Sequence, residues 1–147
     1  MDISAVKVLL VDDNPNMRLL MTTLLSAVGI LDIREAASAK DGLDLLRTWV
    51  PSIALIDYVM PEMTGMDMTR AIRRDTDTTL ASMPIIIVTG HGETENIHKA
   101  AEAGANDFIV KPFTARILIG RIQRCLRDPR TISEMVAERD RARTGDR

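Results

Sequence analysis

Five residues of this 147-residue chain have the types and positions to do chemistry together. Asp12 and Asp13 end the apolar run "VKVLLVDD", and Asp57 ends "IALID". Thr89 ends "IIIVT", and Lys111 follows "DFIV". Each run reads as a strand buried on both faces, and a carboxylate at the tip of such a strand is costly unless something there requires it. Taken singly, each residue can be a helix cap or a solvated group; all five at strand ends point to one shared site. Three converging carboxylates repel one another, by about 4 kcal/mol for a pair roughly 4 Å apart at an effective dielectric near 20. A divalent cation compensates them, and hard oxygen ligands from few protein groups suit Mg²⁺. A structural metal cage has no use for Thr89 and Lys111, whose hydroxyl and ammonium are donors for an anion. An anion beside Mg²⁺ and a carboxylate is the set used in phosphoryl chemistry.

The elements that position these residues follow from the hydrophobic pattern, in which apolar runs alternate five times with segments of helical period. Strands are expected at 6–12, 32–37 (the weakest), 53–57, from Ile85, and at 107–110. In the first helix Asn14 is the N-cap and Pro15 the first position, and Gly29 closes the end. Met17, Leu20, Met21, Leu24, Leu25 and Val28 form its apolar stripe. Ser38 starts the second helix, with Asp41 the far member of a capping box and Leu43, Leu45 and Leu46 apolar. The third begins near Thr64 or Gly65, the fourth is "ETENIHKAAEAGA" closed by Gly104, and the fifth is "TARILIGRIQRCLR". Ile117, Leu118, Ile122 and Leu126 are its inward positions. Such alternation predicts an α/β fold, a doubly wound parallel sheet covered on both sides. Right-handed crossovers then bring every strand's C-terminal end to one edge, where such sheets bind ligands.

Composition narrows the class. Hydrophobic residues make up 46% of the chain, a globular value. No apolar run approaches the roughly 20 residues of a membrane span, and the N-terminus turns acidic too soon for a secretory signal. A single cysteine, Cys125, gives no internal disulfide and no metal-ligand spacing, so the cytoplasm is the expected compartment. The net charge of −2 provides no global basic field for nucleic acid.

Four segments, "VLLVDDN", "ALIDYVMPEMTGMD", "IIIVTG" and "DFIVKPF", occur in order between residues 6 and 113. Together they resemble the receiver domains of two-component response regulators, over roughly residues 5–127. The resemblance implies a flavodoxin-like five-stranded (βα)5 sheet of strand order 2-1-3-4-5, a receiver domain over 1–127, and a tail over 128–147. It implies that Asp57 is the nucleophile, accepting a phosphoryl group from a sensor histidine kinase or a phosphotransfer protein as an acyl phosphate. Asp12, Asp13, Asp57 and the carbonyl of Val59 would hold Mg²⁺, Thr89 and Lys111 would bind the phosphoryl oxygens, and the Lys111–Pro112 bond would be cis. Thr89 and Phe108 would be the switch: Thr89 is drawn inward and the aromatic ring fills the space it leaves. A Phe here lacks the hydroxyl of the commoner Tyr, so its exposed state is less favoured. The downstream protein partner would dock on the fourth helix, fifth strand and fifth helix, with the chain a monomer or a phosphorylation-dependent dimer. The implied function is a phosphorylation-activated receiver that is no enzyme beyond its own phosphorylation and dephosphorylation.

Several features qualify that expectation. Val59 and His91 flank the path of hydrolytic water in the family; an apolar Val59 cannot orient a water, which predicts slow self-hydrolysis. His91 and His98 read as solvated positions, and Trp49 and Cys125 as packing. Four methionines in the nine residues "MPEMTGMDM" read as adaptable packing, with Gly65 permitting a tight turn. Thr131 and Glu134 form a capping box for a short extra helix, after which "ERDRARTGDR" is expected to fray into disorder. Two other classes share parts of the pattern. A Mg²⁺-dependent phosphatase or phosphotransferase with an Asp nucleophile usually carries a second acid two residues on, where this chain has Val59. A nucleotide-binding module needs a Gly-rich loop after the first strand, where this chain has "DDNPN".

Overall fold

A computed structural model describes residues 2–90 and 94–145. After a 3₁₀ turn at Ile3–Ala5 come β1 (Lys7–Val11), α1 (Pro15–Ala27), β2 (Asp32–Ala36), α2 (Ala39–Leu46), β3 (Ile53–Asp57) and α3 (Gly65–Arg73). Then follow α4 (Thr78–Ala81), β4 (Ile85–Thr89), α5 (Thr94–Ala103), β5 (Asp107–Val110), α6 (Ala115–Arg127) and α7 (Ile132–Thr144). The five strands pair in parallel in the order β2-β1-β3-β4-β5. The doubly wound α/β sheet expected from the alternation is therefore present, in the flavodoxin-like order.

Alternate residues of the central strands feed two separate cores, as the period of 2 requires. Leu9, Val11, Ala54, Ile56, Ile85 and Ile87 face α2, α3 and α5. Val8, Leu10, Leu55, Ile86 and Val88 face α1 and α6 through Met21, Leu25, Leu118, Ile122 and Cys125. The methionines after β3 belong to the first core: Met60, Met66 and Met68 are buried and Met63 packs against them. Trp49 is likewise buried, with the Arg34 guanidinium 4.4 Å from its ring centre.

Local chemistry ends the helices largely where expected. Asn14 accepts from the amides of Asn16 and Met17, and Pro15 occupies the first turn of α1. Gly29 takes a left-handed φ of 98° just beyond its end. Ser38 caps α2 by accepting from the Asp41 amide, and Thr64 with Asp67 forms a full capping box on α3.

Three expectations need correction. The apolar stripe of α1 is wider than the arc that the sheet covers: Met21 and Leu25 are buried, whereas Leu20 is 47% and Val28 38% exposed. On α6, Ile117 is 44% exposed and Cys125 is buried, because the arc through Leu118, Ile122 and Cys125 faces the sheet. The extra helix of the tail is longer than expected: α7 runs for 13 residues, from Ile132 to Thr144, into the segment read as fraying. The brief α4, capped by Asp77, was not foreseen. Among the described residues no helix is long and apolar enough to cross a membrane.

Candidate functional site

The sheet register sets the strand tips level. Val11 pairs with Ile56, Asp57 with Val88, and Thr89 with Val110, so the residues at or just beyond these ends meet at one edge. Asp12 leaves β1 only 2% exposed, Asp57 ends β3 at 8%, and Asp13 is exposed beside them. One oxygen from each of these three carboxylates lies within 4.8 Å of the others. Lys111, directly after β5, places Nζ 3.2 Å from Asp12 Oδ2 and 3.1 Å from Asp57 Oδ1. The amide of Lys111 donates to the carbonyl of the buried Thr89 at 2.7 Å, and the Lys111–Pro112 bond is cis. The five residues singled out by type are thus neighbours.

Charge at this edge is unbalanced. Three carboxylates face one ammonium, which leaves two negative charges over when all are ionised. The effect shows on Asp57: burial, then the charge of Asp12, push its carboxyl up to about 6 against the pull of Lys111. A hard divalent cation matches both the deficit and the all-oxygen donors, so these residues fit Mg²⁺. Because the folded value exceeds the unfolded one, ionising Asp57 destabilises the fold. The penalty is absent below about pH 4, grows as pH rises toward 6, and is complete above it. Asp57→Asn should therefore melt higher than the parent at pH 7.5 without Mg²⁺, by about 3–6 °C after allowance for water at this open edge. The gap should close near pH 4, and melts at the two pH values check the sign.

The remaining expected residues are placed as follows. Val59 lies in the loop after β3 with its side chain 57% exposed. Phe108, in β5, is half-buried and packs on the first core. His98 is exposed on α5, and His91 lies outside the described residues.

One contributor, and the role of another, escaped the sequence reading. Arg18, on the first turns of α1, donates from Nη1 to the Asp12 carbonyl and pairs with Glu35 at 3.2 Å, fixing the turn that carries the acids. Its signal is faint: a lone cation four residues after the cap of an otherwise uncharged helix. Gly65 has no left-handed φ; a Cβ there would lie 2.2 Å from the Asp57 carbonyl oxygen, so close approach rather than turn flexibility requires it.

Comparison with known proteins agrees with this geometry. The family described as "Response regulator receiver domain" matches residues 8–123. The chemotaxis protein CheY of Pseudomonas aeruginosa is 36% identical over 118 residues, covering 80% of this chain and 94% of that protein. CheY-3 of Vibrio cholerae is 37% identical over 112 residues, covering 76% and 85%. The solved structure of CheY4 from Vibrio cholerae superposes with a TM-score of 0.75 at 28% identity, covering 81% of this chain and 97% of that one. A match spanning all five strands and reaching into α6, with the acids and the lysine at its strand tips, places this chain in the response regulator receiver domain family.

Proposed function

We propose that this chain is a phosphorylation-activated receiver of a two-component relay, with Asp57 as the phosphoryl acceptor. The observation that carries the reading is Lys111 Nζ held between Asp57 and Asp12 beside a third carboxylate, an anion donor built against a nucleophile. A carboxylate oxygen of Asp57 attacks phosphorus of a phosphohistidine on a sensor kinase or phosphotransfer protein. The P–N bond breaks, its electron pair stays on the imidazole nitrogen, and an acyl phosphate forms. Asp12, Asp13, Asp57 and the Val59 carbonyl would hold Mg²⁺, which when bound offsets negative charge at the transferring group. Lys111 and the Thr89 hydroxyl donate to the phosphoryl oxygens. Chemistry is confined to this residue's own phosphorylation and dephosphorylation, and the output is altered binding of a protein partner. Thr89 and Phe108 transmit the change to the face of α5, β5 and α6, at the β5 edge of the sheet.

Incubation with Mg²⁺ and acetyl phosphate should add a phosphate-sized mass to the parent and none to Asp57→Asn. No gain on the parent, or an equal gain on the variant, refutes the proposal. In the same assay, Val59→Asn should lose its phosphate faster than the parent, since the amide can orient a water that valine cannot.

A further inference from the structure

The tail helix α7 lies against the very face assigned to output. Its root is tied down: the Ile132 amide donates to the Ala105 carbonyl at 2.9 Å, and Asn106 Nδ2 donates to the carbonyls of Pro129 at 2.6 Å and Arg130 at 3.2 Å. Ser133 Oγ donates to the Ala101 carbonyl of α5 at 2.9 Å, and Ile132 packs on the first core. Past that first turn the grip weakens. No residue of α7 is buried; Met135 is half-buried, 3.4 Å from Arg124 Nη1 of α6, and Val136 is 40% exposed. From residue 137 onward, among the described residues, hydrogen bonds and ion pairs of side chains stay within the tail, linking Arg130 to Glu138, Arg143 to Asp140 and Thr144 to Arg141.

Between α7 and the body runs an open groove of about 570 Å³, lined by Phe108, Arg121 and Arg124 on one side and Met135, Val136 and Arg139 on the other. The switch ring and the tail helix therefore border one space. Resting on the receiver reading above, we infer that α7 is a displaceable cover of the α5–β5–α6 face, released when Asp57 is phosphorylated. Phe108 lines the same groove as Met135 and Val136, so the inward movement of its ring removes apolar surface from the wall that faces them. Among the described residues no side-chain hydrogen bond or ion pair ties the distal half of α7 to the body. A helix of 13 residues with its large apolar residues confined to the first turns is marginal once undocked. The anchored root keeps the helix tethered, so release is reversible and the uncovered face becomes available to a partner.

Hydrogen exchange on the full chain, with phosphoryl occupancy read by intact mass in the same samples, tests this. Amides 136–144 should exchange at least tenfold faster in the phosphorylated chain, and Asp57→Asn given the same acetyl phosphate and Mg²⁺ should show no change. A phosphorylated chain with unchanged exchange overturns the cover and leaves the receiver reading standing. A chain that gains no mass removes both. Linkage supplies a second readout, because a cover released by phosphorylation must oppose it. Val136→Lys sets a fourth cation in a groove that already holds Arg121, Arg124 and Arg139, and should loosen α7. At an acetyl phosphate concentration that phosphorylates only about a tenth of the parent, its phosphorylated fraction should rise at least twofold over the parent. An unchanged fraction in a variant whose α7 amides already exchange tenfold faster overturns the coupling.

Discussion

Gly65→Ala is expected to slow phosphorylation of Asp57 about a hundredfold and to lower the melting temperature by about 6–12 °C. The added Cβ would sit 2.2 Å from the Asp57 carbonyl oxygen, 3.0 Å from its carbon and 3.1 Å from Ile56 Cγ2. Two of those atoms are backbone of a central strand, so no side-chain rotation relieves the clash. Gly65 is also held in place, since its amide donates to the Tyr58 carbonyl at 2.9 Å and it opens α3 beneath the Thr64 capping box. Either α3 retreats from the sheet or the end of β3 shifts, and both displace the carboxylate that Lys111 must meet. Overpacking of this kind costs about 2–4 kcal/mol. Gly120 is the control: it lies on α6 with open space around its Cβ position, so Gly120→Ala should gain about 0.5–1 kcal/mol from helix propensity. Phosphorylation followed by intact mass, alongside thermal melts, separates the two glycines. Parent-like rates in Gly65→Ala would refute the close-packing argument.

The strands and the strand-tip residues were legible because both are written in residue type along short stretches. Continuous apolar runs leave few choices besides a sheet covered on both faces, and Asp12, Asp57, Thr89 and Lys111 stand out at their ends by contrast. What lay between elements was less legible. The stripe of α1 shows which residues share an arc but not how far the sheet reaches under it, so Leu20 and Val28 read as inward and are left partly exposed. Gly65 reads as a turn residue in "MPEMTG", whereas the left-handed φ in that loop belongs to Glu62, at 70°. The tail reads as fraying because "ERDRARTGDR" lacks an apolar face; its anchors, Asn106 and Ala105, are some 25 residues upstream. Partners so distant in the chain leave no local pattern, and the grip they provide appears only once the sheet has assembled.

The same hub supports the second large effect, a loss of about 3–5 kcal/mol on Arg73→Met, or roughly 10–15 °C in melting temperature. Arg73, in the last turn of α3, donates Nε to the Gly104 carbonyl at 2.9 Å and Nη1 to the carbonyls of Ala81 at 2.9 Å and Met83 at 2.7 Å. Its Nη2 reaches Asn106 Oδ1 at 2.8 Å, an oxygen that also accepts the Ile85 amide at 2.8 Å. One guanidinium thus ties the end of α3 to the end of α4, the approach to β4, the turn before β5 and, through Asn106, the root of α7. Burial lowers its pKa, and Glu134 of α7 works in the opposite direction. Methionine replaces the stem of the side chain but leaves three carbonyls and the Asn106 oxygen without this donor. Charged hydrogen bonds contribute about 1.5–3 kcal/mol each, and shared partners keep the total below their sum. Arg73→Lys should recover only part of the loss, because a single ammonium cannot span acceptors that the planar fork reaches on both sides. Exchange of the Ile132 amide offers an independent reading: if Asn106 transmits the damage, that amide should lose protection well before the central strands do. A melting loss under about 1 kcal/mol would mean that water replaces the guanidinium at these carbonyls, and that the tail is rooted by Ile132 and Ala105 without help from α3.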